Sequence, residues 1–472
     1  MIKSHIISES LNNNSYLINL HDNKIYYLHK KLLNAIKDSE LNNKIKKSNY
    51  YSKKVEFLKK HAILPQSIFM EESITENVFK ANIVEHYFKN PKHILFEVTE
   101  MCNLKCRYCI YGDMYHSYGN KDRQGRSLDF AQAKLLIDNI TCDNKSSKIK
   151  KNISFGFYGG EPLLNFDIIF NIVKYSISKL NEHYNISFHM TTNGTILNKY
   201  IDFFIEHNFF ITISLDGDAL ANSHRVYHNQ KPTFMDVYKI VKQIQTLYPS
   251  FYEKNINFNT VIHDLNDTNS ARKYFIREFK KNVNCETVSK FGISDNINTF
   301  SRGILDIKED EILDKDQMLN LCTMFIDSYA GLVYSKYTDL NNINYNKKIL
   351  ATSTCVPFSK KIFIKADGSI YPCENVPHNN YLGKIHLKYI DIDFASIADK
   401  YNAILKDCYA TCKNCYFFRT CGICVIQKEV NHNFKCASYK NQKSFSNYAS
   451  AIISYIESNP DLLNIIKGRL LQ

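Results

Sequence analysis

Short apolar runs alternate with amphipathic stretches between about residue 90 and residue 300. The runs of strand length are Ile94–Val98, Ile153–Phe157, Ile186–Met190, Phe210–Ser214 and Ile256–Ile262. Between the second and third runs, apolar residues from Ile169 to Ile177 recur at the spacing of one helical face. Repeated strand–helix units imply a parallel sheet, and five or six of them predict a partial (β/α)6 barrel of the TIM type. Functional side chains are then expected where the strands end.

The first 85 residues follow a different pattern. Tyr16–Leu20 and Ile25–Leu28 are predicted strands joined by a polar turn, which is typical of a hairpin. Helical periodicity follows around residues 32–36 and 55–62. We therefore expect a small, separate, winged-helix-like α+β module before the barrel.

Composition narrows the class of protein. The chain has 472 residues, 14 cysteines and a net charge of +13. We find no apolar run of the ~18 residues that a membrane span needs, and the amino terminus lacks the apolar core of a signal peptide. We therefore expect a soluble, cytoplasmic protein without a membrane partner, in which the cysteines serve metal or redox chemistry rather than disulfides. No nucleic-acid-binding motif accompanies the positive charge, which would also suit an acidic peptide.

Three cysteines directly follow the first predicted strand of the barrel. Cys102, Cys106 and Cys109 have the spacing Cys-x3-Cys-x2-Cys. Three thiolates can hold three irons of a four-iron cluster and leave the fourth iron open to a ligand that is not protein. A structural zinc site with a fourth ligand from elsewhere is the alternative. The triplet, with Tyr108 before its last cysteine, resembles the cluster motif of the radical S-adenosylmethionine (SAM) enzymes. That resemblance implies a [4Fe-4S] cluster whose free iron chelates SAM, with Tyr108 beside the adenine or the cluster.

The ends of the next three predicted strands also carry polar or glycine-rich motifs. The glycines permit close approach of the backbone to a ligand. By the same resemblance, the motif after the second strand binds the amino group of SAM, and the following two contact its ribose and carboxylate. The residues concerned are Gly159, Gly160, Glu161, Thr192, Asn193, Ser214, Asp216 and Arg225.

The last third of the chain holds a second set of cysteines. Their spacing resembles the SPASM domain, the auxiliary-cluster extension of peptide-modifying radical SAM enzymes, and implies two further [4Fe-4S] clusters, three in total. By resemblance, one cluster takes Cys412, Cys415, Cys421 and Cys436. The other takes Cys355, Cys373 and Cys424, with Cys408 or Cys322 as a fourth ligand or with an open iron. Cys421 and Cys424 are separated by two residues where the family has three. A zinc ribbon is the alternative.

These motifs predict five segments. We expect a module that resembles leader-peptide recognition domains at residues 1–85 and the radical SAM barrel at residues 86–310. Linker helices follow at residues 311–350, the SPASM domain at residues 351–440, and a C-terminal helix at residues 441–472.

The resemblance implies an oxidoreductase that modifies a peptide. Our first hypothesis is a maturase of a ribosomal peptide that forms a thioether or carbon–carbon crosslink. Its partners would be a precursor peptide with a leader, for which an acidic composition is one option, and a reductant such as flavodoxin or ferredoxin. A sulfatase-type, formylglycine-generating maturase and a peptide epimerase are alternatives. Sulfatase maturases carry an aspartate as base where this chain has Glu374, which we predict to be catalytic. A non-catalytic peptide-binding or electron-relay protein is the remaining alternative.

Overall fold

The computed structural model describes most of the amino-terminal module, the barrel and parts of the carboxyl-terminal third. The described ranges are residues 5–19, 24–42, 50–61, 63–64, 78–115, 124–141, 150–288, 355–376, 378–417 and 439–462, with residues 293, 303–304, 318–319, 322, 424, 426, 436 and 464. Cys421 and nearly all of the predicted linker at residues 311–350 lie outside them. The chain forms two compact units: one takes residues 1–80, 313–356 and 398–472, and the other takes residues 81–312 and 357–397.

The first unit is built on a three-stranded antiparallel sheet. Its strands are β1 (His5–Glu9), β2 (Ser15–Asn19) and β3 (Lys24–Leu28), with β2 in the centre. The antiparallel pairing of β2 with β3 confirms the predicted hairpin. Two helices follow the hairpin, α1 (Lys30–Asn42) and α2 (Tyr50–Lys60).

Alternation along β2 divides its side chains between two apolar clusters. Leu17 packs with Leu33 and Val55 of the two helices, whereas Ile18 packs with Phe445 and Ile452. The last two residues belong to the carboxyl-terminal helix Gln442–Ser458 (α11 below), so this helix covers the second face of the sheet. A further described helix runs over Phe394–Cys412 (α10). Its residues from Ala398 onward belong to this first unit.

The second unit contains a ten-stranded sheet. Its first six strands in the chain are parallel neighbours in chain order, which confirms the predicted α/β architecture. They are β4 (His93–Thr99), β5 (Lys151–Gly159), β6 (Tyr184–Thr192), β7 (Phe210–Ser214), β8 (Ile256–Ile262) and β9 (Val283–Thr287). The helices of this unit are α3 (Ala81–Lys89), α4 (Phe130–Asp138), α5 (Phe166–Leu180), α6 (Ile201–Glu206), α7 (Phe234–Leu247), α8 (Pro249–Asn255) and α9 (Thr268–Phe279). Within the described residues, no helix is long and apolar enough to cross a membrane.

Four short strands extend this sheet beyond β4. They are β10 (Ile362–Ile364), β11 (Ser369–Tyr371), β12 (Gly383–Ile385) and β13 (Ile390–Ile392). β10 and β11 form a hairpin that turns at Gly368, whose φ of +82° lies in the region that favours glycine. Because β10 pairs in parallel with β4, residues 357–397 belong to the second unit, together with the parallel strands. The segment that we predict as one domain, residues 351–440, is thus divided between the two units.

The two faces of the parallel sheet differ in polarity. Phe96, Phe155 and Phe188 are buried on one face, and each such burial stabilises the fold by roughly 1.5–3 kcal/mol. The alternate positions of the strands form the opposite face, which we call the inner face. It includes Glu97 of β4 and Tyr158 of β5, which are neighbours in the register of the sheet. The inner face is therefore the polar wall on which a site can be built.

Candidate active site

Cys102, Cys106 and Cys109 lie in the loop that follows β4, at residues 102–109, which we call the cysteine loop. The N–H of Cys109 donates to the carbonyl of Cys106 at 3.2 Å, and the N–H of Leu104 donates to Sγ of Cys102 at 3.4 Å. Burial, opposed by the hydrogen bond from Leu104, raises the pKa of Cys102 to about 11, and burial raises that of Cys106 to about 12. Without a metal, these thiols therefore keep their protons at neutral pH.

Gly159, which ends β5, and Gly160 directly after it pack against the entry to this loop. A Cβ on Gly160 would lie 2.1 Å from the carbonyl oxygen of Met101, and one on Gly159 would lie 2.3 Å from that of Thr99. The N–H of Gly160 donates to Thr99 at 2.9 Å, and that of Glu161 donates to Met101 at 2.8 Å. These glycines are therefore needed where two strand ends meet, a close approach between backbones that the sequence did not reveal.

Glu161 joins the ends of β5 and β6. Its buried carboxylate accepts hydrogen bonds from the N–H of Leu163 at 3.1 Å, the hydroxyl of Thr192 at 2.7 Å and the N–H of Asn193 at 2.7 Å. Burial raises its pKa to about 7, against the effect of these donors. Three predicted site residues, Glu161, Thr192 and Asn193, are thus brought together by one carboxylate.

Asn193 extends this connection to the cysteine loop. Its Nδ2 donates to Oδ1 of Asn103 at 2.8 Å, and Nδ2 of Asn103 donates to the hydroxyl of Thr195 at 2.9 Å. The segment after β6 therefore fixes the residue next to Cys102.

Asp216, Arg225 and Tyr108 form one buried unit on the other side of the loop. Nε and Nη2 of Arg225 donate to the two carboxylate oxygens of Asp216 at 3.0 and 2.9 Å, and the hydroxyl of Tyr108 donates to the same carboxylate. The guanidinium lies 5.4 Å from the centre of the Tyr108 ring. Burial opposes the charge of Arg225, but the charges of Asp216, Tyr108 and Cys106 and the hydrogen bond to Asp216 together outweigh burial and raise the pKa of the guanidinium. Because Tyr108 lies between Cys106 and Cys109, the ion pair anchors the loop.

The chain around Arg225 also holds the loop by its backbone. The N–H of Lys105 donates to Val226 at 2.7 Å, and that of Arg107 donates to His224 at 3.0 Å. The cysteine loop is therefore supported by the ends of β5, β6 and β7 together.

A histidine pair that the sequence analysis missed lies beneath Tyr108. The ring of His263 stacks on Tyr108 with 5.6 Å between ring centres, and Nε2 of His224 is 2.8 Å from Oδ1 of Asp264. His224, His263 and Asp264 place ligand atoms within 4.8 Å of one another, the distance range of a metal site. Nδ1 of His263 already accepts the N–H of Leu265 at 3.1 Å, so these side chains support Tyr108 through internal hydrogen bonds.

Glu374 and Lys361 form an ion pair near the inner face. Nζ of Lys361 lies 2.7 and 2.8 Å from the two carboxylate oxygens of Glu374, and both side chains are mostly buried. Burial, and then the charge of Glu374, raise the pKa of Tyr158 on β5. Lys361 was not predicted, because a lysine before a strand carries no signal in the sequence.

Two further histidines on the inner face were also missed. The rings of His93 and His189 lie 6.2 Å apart, and a Cβ on Gly156 would lie 2.7 Å from Nε2 of His93. Burial, followed by the charges of Lys361 and His189, lowers the pKa of His93 to about 3, so its ring is neutral. Polar residues at alternate positions of β4, such as His93 and Glu97, were the signal that could have revealed this face.

The remaining predicted residues lie on other elements of the chain. Ser214 ends β7, half-buried, beside Asn259 of β8. Of the predicted auxiliary ligands, Cys412 ends α10 and Cys415 follows it. The others in the described part are Cys355, Cys373, Cys424 and Cys436.

The donors around the cysteine loop fit an iron–sulfur cluster. The loop supplies three thiols, a backbone N–H directed at the sulfur of Cys102, and the buried cation of Arg225, whose charge lowers the pKa of Cys106 against the effect of burial. Amide–sulfur hydrogen bonds and nearby cations stabilise an anionic cluster. Three thiols leave one iron for another ligand, which is the arrangement that SAM requires.

Comparison with known proteins agrees with this geometry. Residues 96–269 match the Radical SAM superfamily. The chain is 26% identical over 404 residues to a cysteine-type anaerobic sulfatase-maturating enzyme of Clostridium novyi, covering 78% of this chain and 99% of that protein. It is 23% identical over 347 residues to the radical SAM cyclopropyl synthase TigE of Paramaledivibacter caminithermalis, covering 71% of this chain and 66% of that protein.

A solved structure shares the fold. Native anSMEcpe with bound AdoMet and Kp18Cys peptide aligns with a TM-score of 0.52 and 18% identity, over 80% of this chain and 99% of that one. The chain therefore contains a radical SAM domain and is a radical SAM enzyme, which confirms the predicted resemblance.

Proposed function

We propose that this enzyme is a peptide maturase that forms an oxidative crosslink, a thioether or a carbon–carbon bond, in a ribosomal precursor peptide. The observation that carries the proposal is the cysteine loop, which three strand ends support at the edge of a polar inner face. When bound, the cluster and SAM supply the radical that removes a hydrogen atom from the substrate, and two auxiliary clusters would take up the remaining electron.

The chain's own residues would place SAM and handle the proton. Gly159, Gly160 and Ser214 lie at strand ends from which we propose that SAM is bound. Glu374 is the carboxylate that we propose accepts the proton released with the second electron, and Lys361 holds it in position.

The amino-terminal module is the proposed leader-binding site. β3 lies at an edge of its sheet, and an extended peptide can add there as a further strand. Tyr27 on this strand and Tyr50 at the start of α2 are 64% and 65% exposed, and Lys54 stands over the Tyr50 ring. Exposed aromatic and cationic side chains suit an acidic leader peptide. The net charge of +13 favours the same kind of partner.

Formylglycine formation in a sulfatase is the second candidate. It is favoured by the likeness to sulfatase-maturating enzymes, since the C. novyi relative is matched along 99% of its length. Glu374, in place of the aspartate of those enzymes, and the preceding module favour crosslinking instead.

Incubation of the anaerobically reconstituted enzyme with SAM, a reductant and candidate peptides tests the proposal. We expect 5′-deoxyadenosine and a peptide that has lost two hydrogens, has no free aldehyde and yields crosslinked fragments. A product that reacts with a hydrazide probe would instead establish formylglycine. If no 5′-deoxyadenosine forms with any of the candidate peptides, the result would contradict the enzyme assignment and favour a binding or electron-relay protein.

A further inference from the structure

The cysteine loop takes part in a small antiparallel ribbon. Leu104 pairs with Tyr227 in a β-bridge. The chain after Tyr227 turns back on itself, because the N–H of Tyr227 donates to the carbonyl of Lys231 at 3.0 Å. We call residues 104–107 and 224–232 the loop ribbon. The segment that supports the loop therefore also ends in a turn beside it.

The turn of the ribbon carries a histidine that reaches a predicted cluster ligand. His228 is exposed, and its Nε2 donates to the carbonyl oxygen of Cys102 at 2.9 Å. Sγ of the same cysteine accepts the N–H of Leu104 at 3.4 Å. One hydrogen bond therefore separates an exposed side chain from a residue that we predict to bind the cluster.

The outer side chains of the ribbon are mostly cationic. Lys105 is exposed, the side chain of Lys231 is 65% exposed, and Arg107 is half-buried. The described contacts bring Asp236 to these cations. Nζ of Lys231 lies 3.9 Å from its carboxylate, which also accepts the hydroxyl of Tyr227 at 3.0 Å. Three cations beside this carboxylate leave an excess of positive charge, which attracts an acidic protein.

The chemistry of a radical SAM enzyme requires an electron from outside the chain. The rate of electron transfer falls steeply with distance, so a donor protein must bind near the cluster. The residues from which we propose that SAM is bound, Gly159, Gly160 and Ser214, lie at the ends of β5 and β7 and are not part of the ribbon. The exposed side chains of the ribbon are thus left for a protein that delivers the electron.

We propose that the loop ribbon is the docking surface for an acidic protein that donates one electron, represented by a reduced flavodoxin. The donor loses one electron, which reduces the cluster by one unit of charge, and no bond of the chain forms or breaks. The proposal rests on the class of the enzyme and not on the proposed crosslink, so either proposal can fail without the other.

Binding of an acidic flavodoxin to the full-length chain tests the proposal without relying on turnover. Isothermal titration calorimetry at low ionic strength compares the wild type with a double variant, Lys105→Glu with Lys231→Glu. Each substitution changes the charge of the ribbon by two units, so we expect the double variant to bind roughly tenfold more weakly. The affinity of the wild type should fall as salt is added, because salt screens exposed charges.

Two controls separate docking from other effects. Lys254→Glu changes an exposed lysine of α8, which precedes β8 and so lies at the other end of the strands, and it should bind flavodoxin as the wild type does. In the reconstituted enzyme, Lys231→Glu should slow reduction of the cluster by flavodoxin, followed by electron paramagnetic resonance. Reduction by dithionite, a small molecule that needs no docking surface, should be unchanged.

Equal affinities of the wild type and the double variant would overturn the proposal, and so would an equal loss of affinity in Lys254→Glu. A wild type that does not bind the flavodoxin, or equal slowing by both reductants, would also overturn it. If circular dichroism shows that the double variant is misfolded, Lys231→Gln replaces it, and an unchanged affinity of that variant would contradict the docking surface.

Discussion

Two cysteine triplets of the chain have the spacing Cys-x3-Cys-x2-Cys but lie in different surroundings. One is the cysteine loop, and the other is Cys408, Cys412 and Cys415 at the end of α10, which we call the helix triplet. The cysteine loop follows a strand of the parallel sheet, and the ends of β5, β6 and β7 hold it through buried polar groups such as Glu161 and Asp216. The helix triplet instead ends a helix whose buried face is apolar. A spacing motif thus sets how far apart thiols lie along the chain, whereas the tertiary structure decides which groups surround them. Only the loop lies where a parallel sheet collects ligand-binding groups.

Replacement of the third cysteine of each triplet by alanine tests most directly whether the two triplets have different roles. Cys109→Ala should abolish cleavage of SAM to 5′-deoxyadenosine, because the cluster that binds SAM is lost. Cys415→Ala should leave uncoupled cleavage in place and abolish the modified peptide. Chromatography of 5′-deoxyadenosine and mass spectrometry of the peptide measure both. Identical profiles for the two variants would contradict the division of roles.

The next largest effect concerns the ion pair that anchors the loop. Arg225→Met leaves the carboxylate of Asp216 buried without its cation, and breaking such a pair costs about 3–5 kcal/mol. Denaturant unfolding of the full-length protein measures this loss. The control is Lys413→Met, an exposed cation beside the helix triplet, which should change the free energy of unfolding by less than about 0.5 kcal/mol. Equal losses in the two variants would show that the loop does not depend on the pair.

A smaller effect is expected where β5 meets the loop. Gly160→Ala would place a Cβ 2.1 Å from the carbonyl oxygen of Met101, so the backbone must shift. We expect a loss of about 1–3 kcal/mol, as for other overpacked sites, with lower iron retention at the loop and unchanged auxiliary iron. Thermal unfolding and iron analysis measure the two effects. Gly303→Ala, where a Cβ meets open space, is the matched control and should match the wild type.

The smallest expected effect is a pH dependence of the free energy of unfolding that arises from Glu161, near the cysteine loop. Burial raises the pKa of Glu161 from 4.5 to about 7, so the folded protein holds a proton that the unfolded chain releases. The stability contributed by this group therefore falls as pH rises from about 4.5 to 7, by on the order of 1–3 kcal/mol. Glu161→Gln removes the titration, and unfolding of both proteins at pH 5 and pH 8 measures the difference. Parallel stability curves would contradict this prediction.

Strong periodicity made most of the barrel predictable. The five apolar runs correspond to β4 to β8, since a strand buried among helices must be rich in apolar residues. Four of the described strands were missed, namely β1, β9, β12 and β13, because they are short and apolar only in part. Their pairing with neighbouring strands supplies what their own residues do not indicate.

The sequence by itself determined the order of the parallel strands and the spacing of the cysteines, because both can be recognised from residues that are neighbours along the chain. Only the tertiary structure decided that Glu161 joins two strand ends, that Arg225 pairs with Asp216 beside Tyr108, and that Lys361 meets Glu374. These contacts join residues that lie 9 to 31 positions apart and on different elements, and burial makes the contacts strong. No local pattern specifies which buried charge will meet which partner, so that choice appears only when the chain is folded.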